Sequence, residues 1–204
     1  MQNDSGIYRI LSRATVYGRL QRLIGRCDNV SLLVDDYAAL QPGESVLDIG
    51  CGPGTLVPYL KGNDYFGFDP NADYIETARR TYPTKATFAI GTVDEIATTL
   101  TRRFDVAFAI GVVHHLADAD ADRLLTMAKA TLRPGGRLLT YDGVLRRGQN
   151  PLAHLLLKLD RGKAVRTIEG YRALAAAHFD RINVHVRNDL LRVPYEHAIL
   201  VCHV

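Results

Sequence analysis

The side chains able to do chemistry gather in four short segments. The first is VLDIGCGPG at 46–54, an apolar run ending in Gly50, Gly52 and Gly54, with a carboxylate, Asp48, just ahead of them. Glycines after a strand let the backbone turn sharply and remove the Cβ atoms that would hold a ligand away. A dinucleotide-binding turn reads GxGxxG, but here the spacing is GxGxG and Thr55 stands where the last glycine would be. A carboxylate at Asp48 would repel a pyrophosphate and suits a ligand carrying an ammonium group. The second segment, YFGFD, ends in Asp69, 17 residues after Gly52. An acid at such a strand tip can accept two hydrogen bonds from a ribose diol, or it can cap the helix that begins near Asn71. The third is GVVHHL, where His114 and His115 offer a general base; the alternative is that they cap a helix or brace the loop. The fourth is the basic stretch after Asp142.

These segments need a scaffold that brings strand ends together. Apolar residues at Ile7, Ile10, Ala14, Tyr17, Leu20 and Ile24 fall three or four apart and predict one helix; Asp28 can cap a second, carrying Leu33, Tyr37 and Leu40. From Ser45 the period changes. Strands are predicted at 45–50, 64–69, 86–91, 104–111 and 137–142, alternating with helices at 55–61, 71–82, 93–101 and 118–132. Strands apolar on both faces, alternating with helices, make a parallel sheet covered on both sides. Residues 143–166 then read as basic and irregular around an apolar PLAHLLLKL helix, and a further helix follows from Thr167 to about Ala177. The segments 179–188 and 195–204 face each other across DLLRVP and read as an antiparallel pair. The fold class expected is α/β, a three-layer sandwich on a seven-stranded, mostly parallel sheet. Residues 1–42 would form a helical cap and 43–204 the core, with a lid-like insert at about 143–166.

A chain of 204 residues can bury a core without disulfides or metals. Its three cysteines, Cys27, Cys51 and Cys202, form no CxxC pair, which fits a reducing compartment. The opening MQNDSGIYRILSR does not read as a signal peptide, and no apolar run approaches the ~20 residues that cross a bilayer, so a cytoplasmic protein is expected. No HExxH or Cys/His cluster is present, so no metal is expected. The net charge of +3 is too small to imply nucleic acid, but ten Lys/Arg against four Asp/Glu lie between Gly143 and Arg192. That segment is either a solvated basic face or an anion-attracting surface.

The set VLDIGCGPG at 46–54, GFDPN at 67–71, FDVAFAIGVVHHLAD at 104–118 and LRPGGRLL at 132–139 resembles the class I S-adenosylmethionine-dependent methyltransferases, in that family's order and spacing. The resemblance implies a Rossmann-like sheet in the order 3-2-1-4-5-7-6, with S-adenosylmethionine as the cofactor and S-adenosylhomocysteine as its product. It implies that Asp48, Gly50, Cys51 and Gly52 surround the methionyl part, that Asp69 takes both ribose hydroxyls, and that Pro70 and Asn71 flank the adenine. The family often has an acid where this chain has Thr92, so the Thr92 hydroxyl, the Val93 backbone or Asp94 would have to contact the adenine amine. Ile110 and Gly111 would lie near the ammonium and the transferable methyl.

Within that resemblance His115 corresponds to the histidine most often retained, and it is expected to orient or deprotonate the acceptor, with His114 the more peripheral. Substrate recognition is expected from Tyr8, Arg9 and Tyr17 in the N-terminal region, and from Tyr141, Asp142 and the insert. Arg146, Arg147, Arg161, Lys163 and Arg166 could meet a carboxylate or phosphate, which points to an anionic small molecule. The other acceptor classes are RNA, DNA or protein. Base-modifying relatives carry an Asn/Asp-Pro-Pro-Tyr/Phe motif where this chain has IGVVH, so no nucleic-acid partner is expected. A cofactor-binding protein without catalysis, or a nicotinamide oxidoreductase, are the remaining readings.

Overall fold

The computed structural model describes residues 29–159, 164–191 and 194–204. The predicted N-terminal helix, with Tyr8, Arg9 and Tyr17, lies outside them. The sheet is built from β1 (Val46–Ile49), β2 (Tyr65–Asp69), β3 (Thr87–Ile90), β4 (Phe104–Ile110), β5 (Leu132–Leu145), β6 (Arg166–Thr167), β7 (Arg181–Arg187) and β8 (His197–His203). The helices are α1 (Asn29–Leu32), α2 (Ala72–Thr81), α3 (Val93–Thr99), α4 (Asp118–Thr131), α5 (Pro151–Leu159) and α6 (Ile168–Ala176). Strand order is β3-β2-β1-β4-β5-β8-β7, with β1 to β5 parallel and β8 antiparallel to both neighbours. This is the expected architecture, with the two-residue β6 added beside the end of β5.

Alternation along the strands sorts the apolar side chains into two layers. Val46, Val106, Phe108, Leu139 and Ile199 face one side, where they meet Leu33 and Val34 near the chain start and Ile75 of α2. Leu47, Ala107, Ala109, Leu138 and Leu200 face the other, against Leu124, Leu125 and Ala128 of α4 and Tyr171 and Ala175 of α6. Period-two side chains buried on both faces are what a sheet between two helical layers requires. The described part of the expected cap therefore packs into the core. Helix α1 runs on as a π-helical stretch over Leu33–Tyr37, and Leu33, Val34, Ala38 and Leu40 are all buried. Arg137 of β5 anchors this segment, donating to the Ala38 and Ala39 carbonyls and pairing with Glu44.

Two elements depart from the expectation. The helix predicted at 55–61 is a single 3-10 turn at Val57–Tyr59; Pro58 lacks a donor and glycines flank the stretch at 54 and 62. Strand β5 runs on to Leu145 instead of stopping near 142, because Tyr141, Asp142 and Gly143 keep pairing with Ile199, Ala198 and His197. Gly143 also marks where α5 docks. A Cβ there would lie 2.7 Å from both Leu157 of α5 and the Tyr195 hydroxyl. Gly143→Ala should thus cost about 1–3 kcal/mol of stability by overpacking, measured by urea unfolding; an unchanged midpoint would show that α5 does not press on the strand there.

Candidate functional site

The carboxyl ends of β1, β2, β4 and β5 lie side by side, and the chemistry-bearing segments meet there. After β1 the chain turns through Gly50 (φ +71°) and Gly52 (φ +53°), conformations that side-chain-bearing residues rarely adopt. A Cβ on Gly50 would come within 2.7 Å of Val112, so the glycine lets the loop after β4 close onto the turn. The space beside Gly52 is open for 4 Å. The backbone N–H groups of Gly50 and Cys51 both donate to the Phe68 carbonyl, which ties the turn to the end of β2.

Two carboxylates stand at this turn. Asp69 accepts from the Gly52 N–H at 3.1 Å through Oδ2 and from the Asn71 N–H at 2.8 Å through Oδ1. Burial raises its pKa, and the two backbone bonds oppose that rise. It is not the cap of α2; Asn71 has that role, accepting from the Tyr74 N–H at 3.2 Å. Asp48 is buried and accepts a 2.7 Å bond from the Tyr65 hydroxyl. Loss of water pushes its carboxyl up to about 7, the Tyr65 bond pulls it down, and the neighbouring Asp69 charge adds to the rise. Gly67 makes this possible, since a Cβ there would sit 2.6 Å from the Tyr65 hydroxyl. The Tyr65 bond has no signal in the sequence beyond the glycine two residues on. Burial beside Asp48 and Asp69 pushes the Cys51 thiol up, which keeps it a neutral lining group.

Around these, Pro70 is exposed and Val93 half-buried. The Thr92 hydroxyl is engaged in a capping box with Glu95, donating at 2.9 Å and accepting from its N–H at 3.4 Å, so the expected hydroxyl contact to an adenine competes with the start of α3. Asp94 is paired with Arg123 at 3.1 Å. At the tip of β4, Ile110 is half-buried and the Gly111 N–H donates to the Tyr141 carbonyl at 2.7 Å.

The histidine pair lies on a 3-10 turn at Val113–His115, and its two side chains differ in exposure. His114 is the buried one and His115 is exposed. The cause is Asp142, whose Oδ1 accepts the His114 backbone N–H at 3.0 Å and lies 2.8 Å from its Nδ1. The two rings touch, with centroids 4.1 Å apart.

Two of the expected anion-binding arginines hold carboxylates of this chain. Arg146 grips the buried Glu196 with two bonds, at 2.8 and 3.2 Å. Arg166 donates to the carbonyls of Val113, Leu116 and Ala164 and pairs with Asp118 at 2.7 Å. Each pairs with a carboxylate of this chain. Arg147 is exposed, while Arg161 and Lys163 lie outside the described residues. Tyr141 stacks on His197 at 4.4 Å, and Tyr195 packs on the same imidazole at 4.8 Å. Among the described residues no group of three His, Cys, Asp or Glu side chains could hold a metal ion, and no helix is long and apolar enough to cross a membrane.

A mostly parallel seven-strand path with an antiparallel β8, and a glycine turn flanked by two strand-end acids, define the class I methyltransferase fold. Over residues 46–136 the chain matches the model of the family described as "Methyltransferase domain". The ubiquinone biosynthesis O-methyltransferase of Nitrobacter winogradskyi is 36% identical over 102 residues, covering 47% of this chain and 37% of that protein. The chain thus spans little more than a third of that relative. A structure described as a putative O-methyltransferase from Nostoc punctiforme matches 100% of this chain and 63% of its own, at a TM-score of 0.75 and 16% identity. Phosphoethanolamine N-methyltransferase 2 of Haemonchus contortus, solved with S-adenosylhomocysteine, matches 96% of this chain and 58% of its own, at a TM-score of 0.73 and 15% identity.

The raised Asp48 has a consequence for the unliganded chain. A carboxyl at about 7 in the fold, against 3.8 in the unfolded chain, binds its proton more tightly when folded. Its contribution is complete below pH 4 and is lost as pH rises through about 7, a loss of up to about 4 kcal/mol. Asp48→Asn should flatten this slope between pH 4 and 8 in urea unfolding; an equally steep slope in the variant would show that Asp48 is not its source.

Proposed function

We propose that the chain transfers a methyl group from S-adenosylmethionine to a small-molecule acceptor by in-line displacement. The observation that carries this reading is the convergence of two strand-end carboxylates, Asp48 and Asp69, on one open glycine turn beside the tip of β4. Each Asp69 oxygen holds one backbone bond and keeps lone-pair capacity for a ribose hydroxyl. Asp48 supplies buried negative charge for an ammonium group. Gly50, Cys51 and Gly52 allow close backbone approach, Pro70, Asn71 and Val93 border the adenine, and Ile110 and Gly111 border the methionyl end. Here the residues present fit the cofactor, whose sulfonium supplies the electrophilic methyl.

Transfer from a sulfonium needs positioning above all, and holding the two reactants in line can remove about 7–11 kcal/mol of barrier. His115, exposed on the turn after β4, orients the acceptor or takes its proton. Tyr141, paired with Ile110 across β5 and β4, borders the same space. With Arg146 and Arg166 engaged, a preference for anionic acceptors rests on Arg147 among the described basic residues of the insert. The O-methyltransferase among the relatives supports a hydroxyl acceptor.

His115→Ala should lower turnover by about 10²–10⁴-fold if it removes a proton, with cofactor affinity unchanged. Asp69→Ala should instead weaken S-adenosylmethionine binding. Both are read as S-adenosylhomocysteine release in a screen of phenols, carboxylates, amines and phosphorylated metabolites. Stabilisation by NAD in place of S-adenosylmethionine would overturn the reading, and methylation of RNA or protein alone would replace its acceptor class.

A further inference from the structure

Asp142 is a buried acid at the strand tips that cofactor binding leaves unused. It is 2% exposed; Oδ1 serves the His114 backbone and ring, while Oδ2 is buried with no hydrogen-bond partner among the described residues. A carboxylate taken out of water with one oxygen empty is costly, so a reason for keeping it must lie in what it does. Anchoring the turn does not require a charge, since any acceptor could take the His114 N–H. What the carboxylate adds is control of the ring. An ionised carboxylate only accepts, so Nδ1 must carry the hydrogen in the neutral imidazole.

The rest of the turn is held independently. The Ala164 N–H donates to the His114 carbonyl at 3.0 Å, and Arg166 donates to the Val113 and Leu116 carbonyls at 3.0 and 2.7 Å. These bonds hold the backbone of the turn, while Asp142 Oδ1 meets the ring at Nδ1. The ring edge at Cε1 lies toward Gly111, 3.8 Å from where a Cβ would be, and the ring is tilted 40° against that of His115 at 4.1 Å. The imidazole of His114 is thus a platform between a fixed carboxylate and an exposed histidine.

We propose that Asp142 is the positioning residue of this site: it fixes His114 as the Nδ1–H tautomer and, through that ring, sets the orientation of His115 toward the acceptor. What His115 faces rests on the methyl-transfer reading; the tautomer does not. The test uses the ¹⁵N-labelled full chain at pH 8.5 and compares wild type with Asp142→Asn by long-range ¹H–¹⁵N correlation of the histidines. Wild type should show His114 as a single Nδ1–H tautomer. In the variant His114 should become a mixture and the His115 signals should move, with S-adenosylmethionine affinity within about twofold. With catechol as the acceptor probe, kcat should fall by about 10- to 100-fold at unchanged KM, part of the roughly 10²–10⁴ that a positioned base supplies.

An Nε2–H tautomer in wild type overturns the proposal, as do unchanged His115 signals or unchanged turnover in Asp142→Asn. Should that variant not fold, His114→Phe decides, since it keeps a ring under His115 without the Nδ1 bond. A similar loss of kcat is expected, and wild-type turnover refutes the role of Asp142. A chain that shows the expected tautomers yet methylates no acceptor counts against the methyl-transfer reading and leaves the histidine geometry standing.

Discussion

A carboxylate kept out of water at the end of β1 is the constraint on which the site depends. Asp48 has the Tyr65 hydroxyl as its hydrogen-bond donor, and this is too little to hold a full charge at neutral pH. That deficit is tolerable in a protein that binds a cation and wasteful in one that does not. It also explains the surrounding choices. Gly67 leaves room for the phenol to reach the carboxylate, and Gly50 lets Val112 close over the turn. The bonds from Gly50 and Cys51 to Phe68 keep the ends of β1 and β2 in register, so that Asp69 arrives beside Asp48.

A second layer of ion pairs holds what surrounds this centre. Arg137 fixes the chain ahead of β1 through Glu44 and two carbonyls. Arg146 joins the end of β5 to Glu196 ahead of β8. Arg166 grips the turn that carries the histidines, and its side chain is only 11% exposed. Such pairs contribute little to stability where both partners are wet, but a shielded guanidinium spanning several carbonyls fixes geometry. The insert after β5 is thereby tied to the strand tips on both sides of the candidate acceptor space.

Much of this was legible in the residues. Doubly apolar strands alternating with amphipathic helices mark a parallel sheet, and acids at the ends of such strands fall at its carboxyl edge whatever the details of packing. Pairings between distant segments were not legible. Arg146 and Arg166 read as anion binders because Glu196 and Asp118 lie 50 and 48 residues away, and nothing local marks them as partners. Nothing local marks Asp142, 28 residues on, as the partner of His114; the register of β4 with β5 brings them together. The helix expected after Gly54 ignored Pro58, and the end of β5 was obscured by glycine at 143, which serves packing there and not a turn.

Calorimetric titration of S-adenosylmethionine into the full chain at pH 6 and pH 8 bears most directly on the central claim. One-to-one binding that tightens from pH 6 to pH 8, as Asp48 loses its proton, is the expected result. Absence of binding at both pH values, or binding that is no tighter at pH 8, would contradict a cofactor seat built on the buried charge of Asp48.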